Sequence, residues 1–257
     1  MFEESLCRIE RENNITILYC AEAGSRAQGI SSPDSDYDIR FVYVHPVEWY
    51  LRLTPGRDTM EWLSEDRQLD FSGWELRKTL NLFAACNIRF NELLFSPVVY
   101  REEPRFTQPL RNDIPGFFQA NRAFLGYFSL AEKGLASHPL DGPVGLKGYF
   151  RIICPLLACR FILNNKAQPP TLFSELIRQS GLSDTLQDRL NKLIELKRTM
   201  PKETAVHLSG DLIAFTTGLY REMAALRARG TVMPETAQKT CSKTSLEKLF
   251  QRWTLNK

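Results

Sequence analysis

Residues 24–43 read GSRAQGISSPDSDYDIRFVY. A Gly-Ser pair is followed, after ten further residues, by Asp36-Tyr37-Asp38, and from Asp36 the pattern has a period of two. Tyr37, Ile39, Phe41 and Tyr43 fall on one face; Asp36, Asp38, Arg40 and Val42 fall on the other. That alternation predicts a strand with one buried face and one polar face. Upstream, Ile15 to Ala21 (ITILYCA) is a short apolar run rich in β-formers, bounded by Asn13-Asn14 and Gly24, and predicts a central strand. Ser25 to Ile30 has room for one helical turn, and Ser31-Ser32-Pro33-Asp34 carries loop chemistry. Gln68 to Phe71 (QLDF) repeats the strand pattern in miniature, with Leu69 and Phe71 inward and Asp70 outward.

The aspartates need a partner. Asp36 and Asp38 share a strand face, with Cα atoms roughly 6–7 Å apart. Two unit charges 4 Å apart repel by about 4 kcal/mol at an effective dielectric of ~20, and Asp70 adds to this. Left alone, such a cluster takes up protons. A divalent cation removes the repulsion, and donors that are all oxygen favour Mg²⁺ or Mn²⁺ over Zn²⁺. Mg²⁺ usually completes its shell with waters and substrate phosphates, so the cluster implies a phosphate ligand. Gly24-Ser25 suits one: the glycine lets backbone approach closely, the serine brings a hydroxyl and the turn brings N–H groups. Metals held by these carboxylates would clamp an in-line displacement at phosphorus, with one carboxylate assisting deprotonation of the incoming hydroxyl. Asp-rich turns before strands also occur as plain solvated surface, and Asp34, in the turn, is expected to be that.

Beyond the strands, Gly73 to Asn87 (GWELRKTLNLFAACN) places Leu76, Leu80, Phe83 and Ala84 at helical spacing and predicts an amphipathic helix over 73–87. A short helix is expected over Asn91 to Phe95, before Ser96-Pro97. After Tyr100 strand signals fade, and helix patterns run over 117–136, 144–165, 172–180, 183–199, 209–229 and 244–254. The last opens on a capping-box spelling, Thr244 to Glu247. Pro155 inside 144–165 predicts a kink or two helices. Glu102, Glu103, Pro104, Pro109 and Pro115 accumulate over 101–115, where a domain boundary is expected.

Composition sets the outer limits. At 257 residues and 43% hydrophobic content the chain can bury a substantial core. No run of eighteen apolar residues spans a bilayer, and MFEESLCRIE lacks the pattern of a signal peptide, so a cytoplasmic protein with no membrane partner is expected. Six cysteines without CxxC spacing read as reduced core thiols, and the three scattered histidines speak against a zinc site or a His-based nucleophile. Net charge is +3, yet residues 1–146 carry 15 Lys/Arg against 21 Asp/Glu and residues 147–257 carry 18 against 9. An acidic half suited to metal precedes a basic half suited to phosphates.

Gly24-Ser25 followed by Asp36-Tyr37-Asp38-Ile39 resembles the motif of the DNA polymerase β-like nucleotidyltransferase superfamily. Within it, GSRAxG…SDYDIRFVY, LDFSGWELRKTL, NELLFSPVVY and PLLACRFIL together resemble predicted nucleotidyltransferases that include RNA-repair-associated polymerases linked to an RNA ligase; the resemblance runs over about residues 15–180. It implies an α+β fold: a small mixed β-sheet nucleotidyltransferase domain over 1–110, then an all-helical domain over 111–257 that closes over the nucleotide and offers a surface to the acceptor. By the same resemblance Asp36, Asp38 and Asp70 are the catalytic, metal-binding carboxylates, and Gly24 and Ser25 form the nucleotide-phosphate loop. Arg26 and Arg40 either contact triphosphate or pair with Glu22 or Asp70. Lys147 sits on a helix that could face the nucleotide; Tyr149 and Arg160 read as helix packing, and Trp74, Leu76 and Leu80 as core. Gln28 stands where the resemblance would put tryptophan, and Gly148 and Cys154 where it would put basic residues. These departures bear on the base pocket and acceptor contacts and leave the aspartates whole.

The activity implied is Mg²⁺- or Mn²⁺-dependent transfer of an NMP unit from an NTP to a hydroxyl, with release of pyrophosphate. An RNA end is one acceptor that suits the basic half; protein and small-molecule hydroxyls are others. The rival reading is a catalytically silent nucleotide- or RNA-binding module of a two-protein system. Three mutually repelling acids argue against it.

Overall fold

The computed structural model describes residues 2–64, 68–201, 203–230 and 243–255. In chain order the elements are α1 (Phe2–Asn13), β1 (Thr16–Glu22), α2 (Gly24–Ala27), β2 (Tyr37–Val44), α3 (Val47–Tyr50), β3 (Thr59–Leu63), β4 (Leu69–Glu75), α4 (Leu76–Ala84), α5 (Ile88–Leu94), β5 (Val99–Glu102) and α6 (Pro104–Phe117). There follow α7 (Ala120–Ser137), β6 (Val144–Gly145), α8 (Leu146–Asn165), α9 (Phe173–Gln179), α10 (Asp184–Thr199), β7 (Ala205–Val206), α11 (Gly210–Ala228) and α12 (Thr244–Leu255). The fold is α+β, and the chain divides into two compact units.

The first unit comprises Met1–Ala27, Asp36–Phe117 and Lys239–Lys257. It holds a five-stranded mixed sheet of order β3-β4-β2-β1-β5, in which β2 and β4 run parallel and every other pair is antiparallel. Ile39, Phe41 and Tyr43 of β2 and Leu69 and Phe71 of β4 bury one sheet face in a cluster with Leu6 and Ile9 of α1. The alternation expected from residue 36 therefore holds at the start of β2. It stops further along, where Val42 and Val44 are buried as well as Phe41 and Tyr43.

Several expected boundaries move for reasons the pairing supplies. The helix expected over 73–87 begins at Leu76, because Gly73, Trp74 and Glu75 continue β4 in register with Phe41, Val42 and Tyr43. Gly73 is what admits the Phe41 ring: a Cβ there would lie 2.3 Å from it. Glu75 then caps α4, its side chain accepting from the Lys78 amide. The helix expected at 91–95 starts earlier, at Ile88, where the Asn87 side chain accepts from the amides of Arg89 and Phe90. The expected boundary region over 101–115 holds the end of β5 and the helix α6, which buries Phe106, Leu110 and Ile114, and the sheet unit's run ends just after it, at Phe117. Pro104 is the first residue of α6, where its missing N–H costs nothing.

The second unit comprises Gln28–Ser35 and Phe118–Gln238. Its described residues are helical or connecting apart from the two-residue pair β6–β7. Pro155 lies inside one uninterrupted α8, the most buried helix of the unit. Tyr149 bonds Thr216 at 3.1 Å, and the Arg160 guanidinium donates to the Ser180 carbonyl at 3.0 Å, so both are packing residues as expected. These units depart from the expected ranges 1–110 and 111–257. The segment Gln28–Ser35 joins the helices, and α12 joins the sheet unit, where Phe250 meets Tyr50 edge-on at 5.3 Å.

The five described cysteines are all outside disulfides; four are buried, while Cys7 is exposed on α1, which corrects its reading as a core thiol. Cys241 lies outside the described residues. No helix among the described residues is long and apolar enough to cross a membrane.

Candidate active site

The site is built on the polar face of β2 and β4. Parallel register sets Asp38 directly beside Asp70, each near the start of its strand. Both side chains are about two-fifths exposed, at 40% and 42%. Between them lies the guanidinium of Arg40, with Nη2 3.1 Å from Asp70 Oδ2 and 3.5 Å from Asp38 Oδ1. Arg40 Nη1 also donates to the Asp70 carbonyl at 3.0 Å and to its neighbour Ile39 at 3.1 Å. Arg40 pairs with Asp70, one of the two roles open to it. The repulsion foreseen between the acids is met here by a resident cation.

Gly24 closes the site from the side. Its φ is +60°, a left-handed conformation that glycine adopts without strain, and a Cβ at this position would sit 2.3 Å from Asp38 Oδ2. The Gly-Ser pair is thus explained twice: by the turn from β1 into α2, and by the carboxylate that occupies the space of the absent side chain. Ser25 follows in α2, half-buried. The Arg26 guanidinium stacks on the Tyr37 ring at 3.8 Å, and its Nε donates to the Asp36 carbonyl at 3.2 Å.

Glu22, expected only as a partner for an arginine, has a role toward Asp38 that sequence reasoning missed. It ends β1, fully buried, and one carboxylate oxygen accepts the Asp38 amide at 2.8 Å while the other accepts the Tyr100 hydroxyl at 2.5 Å. The Ala23 amide donates to the Asp38 carbonyl at 2.7 Å, so Asp38 is pinned to β1 on both sides. Burial pushes the Glu22 carboxyl above its usual range, against the hydrogen bonds from Tyr100 and the Asp38 amide, which lower it. Burial also raises Tyr100, beyond the range of any physiological titration. The signal in the sequence was a single carboxylate closing an otherwise apolar strand.

The other expected site residues fall as follows. Asp36 stands one residue ahead of β2 and is exposed; among the described residues no group of three or more His, Cys, Asp or Glu side chains converges on a metal-sized point. Asp34 is exposed in the turn, as expected. Lys147 belongs to the second unit, exposed in the first turn of α8. The three departures have local roles in that unit. The Gln28 carbonyl accepts the Phe173 amide at 3.0 Å, a Cβ on Gly148 would lie 2.6 Å from the His138 ring, and Cys154 is buried.

A sequence model described as the RNA repair pathway DNA polymerase β family matches residues 1–250. The chain belongs to this family. YcgL of Bacillus subtilis (strain 168) is 37% identical to this family member over 195 residues, covering 76% of this chain and 75% of its own. A solved nucleotidyltransferase-like protein from Exiguobacterium sibiricum 255-15 aligns over 97% of this chain and 87% of its own, at 12% identity and a TM-score of 0.32. That likeness is too loose to bear on fold or activity.

Proposed function

We propose that this polymerase β-type family member transfers an NMP unit from an NTP to a hydroxyl acceptor, with Asp36, Asp38 and Asp70 as its metal-binding carboxylates. The observation that carries this reading is the in-register pairing of Asp38 and Asp70 on parallel strands, with Gly24 cut back to the limit beside Asp38. Two half-exposed carboxylates that point the same way, with all-oxygen chemistry, fit Mg²⁺ or Mn²⁺. When bound, such an ion neutralises charge on the transferring phosphoryl group and orients it.

The chain's own residues do the rest. Gly24 and Ser25 present backbone and hydroxyl to phosphate oxygens. Arg40 fixes the Asp70 carboxylate through its side chain and its carbonyl at once. Asp70 accepts the proton of the incoming hydroxyl, the hydroxyl oxygen bonds to the α-phosphorus, and the bond to the β-phosphate breaks, so that pyrophosphate leaves with the electron pair. Glu22 and Tyr100 keep the Asp38 backbone in place throughout. The family's setting in RNA repair, together with the basic composition of residues 147–257, supports an RNA end as acceptor.

The test incubates the protein with each labelled NTP, Mg²⁺ or Mn²⁺, and a panel of RNAs carrying 3′-hydroxyl ends, with Asp38→Asn alongside. Label on an RNA end, and its loss in the variant, is the expected result. Absence of transfer to any acceptor, with no pyrophosphate above the variant's level, contradicts the proposal.

A further inference from the structure

In the second unit, α8 places Lys147, Phe150, Arg151 and Cys154 at i, i+3, i+4 and i+7, on one helical face. Lys197, near the end of α10, lies against this face. It is only 3% exposed, and its amine stands 5.3 Å from the centre of the Phe150 ring. Among the described residues no carboxylate forms an ion pair with it. A buried ammonium is ordinarily paired, because burial without a counter-charge costs several kcal/mol. Here the opposite is built: Lys147 and Arg151, both exposed, add like charge from one turn of α8. Burial first pulls the Lys197 amine down to about 8; the neighbouring Cys154 thiol opposes this and the two cations add to it. The start of α8 has no side-chain cap, and the positive end of a twenty-residue helix therefore faces the same region.

Three cations and a helix N-terminus thus gather in one place, and one of the lysines is buried with no carboxylate partner among the described residues. We propose that Lys197, Lys147 and Arg151 form a phosphate-binding site in the helical unit. Phosphate suits it better than a carboxylate, since it spreads two charges over several acceptor oxygens and meets both an Arg fork and lysine point charges. Arg198, next to Lys197, donates to the Gly29 carbonyl at 3.0 Å, so the helix that carries the buried amine also holds the Gln28–Ser35 segment. The proposal depends on the second unit alone and stands apart from the catalytic reading of the aspartates.

The test keeps divalent metal out with EDTA, so that the acids of the first unit hold no cation. Inorganic pyrophosphate is titrated by calorimetry into wild type, Lys197→Met and Arg151→Gln. Affinity at least tenfold weaker in Lys197→Met and several-fold weaker in Arg151→Gln is expected; equal affinity in all three, or no binding to wild type, overturns the site. Lysine ¹³Cε resonances of the wild-type protein give a second readout that no substitution can blur. The Lys197 signal should titrate near pH 8 alone and shift upward by about one pH unit or more when pyrophosphate is added; an unmoved titration overturns the site. Competition then separates the sources. Displacement of pyrophosphate by an NTP assigns the site to the nucleotide, displacement by single-stranded RNA assigns it to the acceptor backbone, and failure of both to displace it overturns a role for either.

Discussion

The two units handle buried and half-buried charge in opposite ways. In the first, Arg40 sits between Asp38 and Asp70, and Glu22 is held by Tyr100 and the Asp38 amide, so each acid has a resident partner. In the second, Lys197 is buried beside two further cations with no acid in reach among the described residues. In the first the acids lie against a protein cation. In the second the buried lysine lies among further cations.

The largest expected effect breaks the acidic side of this comparison. Asp38→Asn and Asp70→Asn should each lower NMP transfer by about 10³-fold or more, the order expected when a metal-binding carboxylate is lost. Thermal midpoints should barely move, because a half-exposed ion pair contributes only about 0–1 kcal/mol. Steady-state pyrophosphate release and calorimetric melting measure the two quantities side by side.

Next comes a pair of glycines with nearly the same backbone, one from each unit. Gly24 has φ +60° and Gly181 φ +62°, but a Cβ on Gly24 strikes the Asp38 carboxylate whereas one on Gly181 meets nothing within 4 Å. Gly181→Ala should cost about 1 kcal/mol in denaturant unfolding, the strain of a left-handed alanine, with transfer intact. Gly24→Ala should cost about 1–2 kcal/mol more and lower transfer by roughly 10–100-fold, because Asp38 must move. Equal behaviour of the two variants would remove the steric account of the Gly-Ser pair.

Lys197→Met sharpens the basic side through pH. The amine is near 8 in the folded chain against an ordinary value of 10.5, so the folded state is penalised for a charged Lys197 at every pH below about 8. The penalty fades as pH rises from there and is gone above 10.5. Lys197→Met should therefore be more stable than wild type by about 1–3 kcal/mol at pH 7, with the gap closing between pH 8 and 10.5 in urea titrations. The smallest effect belongs to Arg40→Gln, expected to lower stability by about 0.5–1 kcal/mol in the same titrations, since its partners are two-fifths exposed.

What was legible in the sequence was local. Tyr37, Ile39 and Phe41 announced β2 by alternation, and ITILYCA announced β1 by its run of β-formers. Asp38 and Asp70 could be matched because each sits on an outward position of such a run. What escaped depends on partners distant in the chain. Gly73-Trp74-Glu75 reads as the start of a helix until β2 is laid beside it, and then Gly73 becomes the gap for the Phe41 ring. β3 is five residues with Glu61 at its centre, too short to show a period, and it is a strand because β4 pairs with it. Pro104, Pro109 and Pro115 read as a boundary, yet the apolar spacing of Phe106, Leu110 and Ile114 wins and the segment is a helix. Glu22 looked like the end of a strand, and its role appears only with Tyr100, 78 residues away. Lys197 gave no signal at all, since an isolated lysine in a helix pattern is normally exposed.

The central claim is that Asp38 and Asp70 form a cation-dependent nucleotide site, and calorimetric titration of an NTP with and without Mg²⁺ tests it most directly. Wild type should bind the NTP at least tenfold more tightly with Mg²⁺, and Asp38→Asn and Asp70→Asn should each lose that gain while remaining folded. NTP binding indifferent both to Mg²⁺ and to the loss of Asp70 would contradict the claim and leave a binding module in its place.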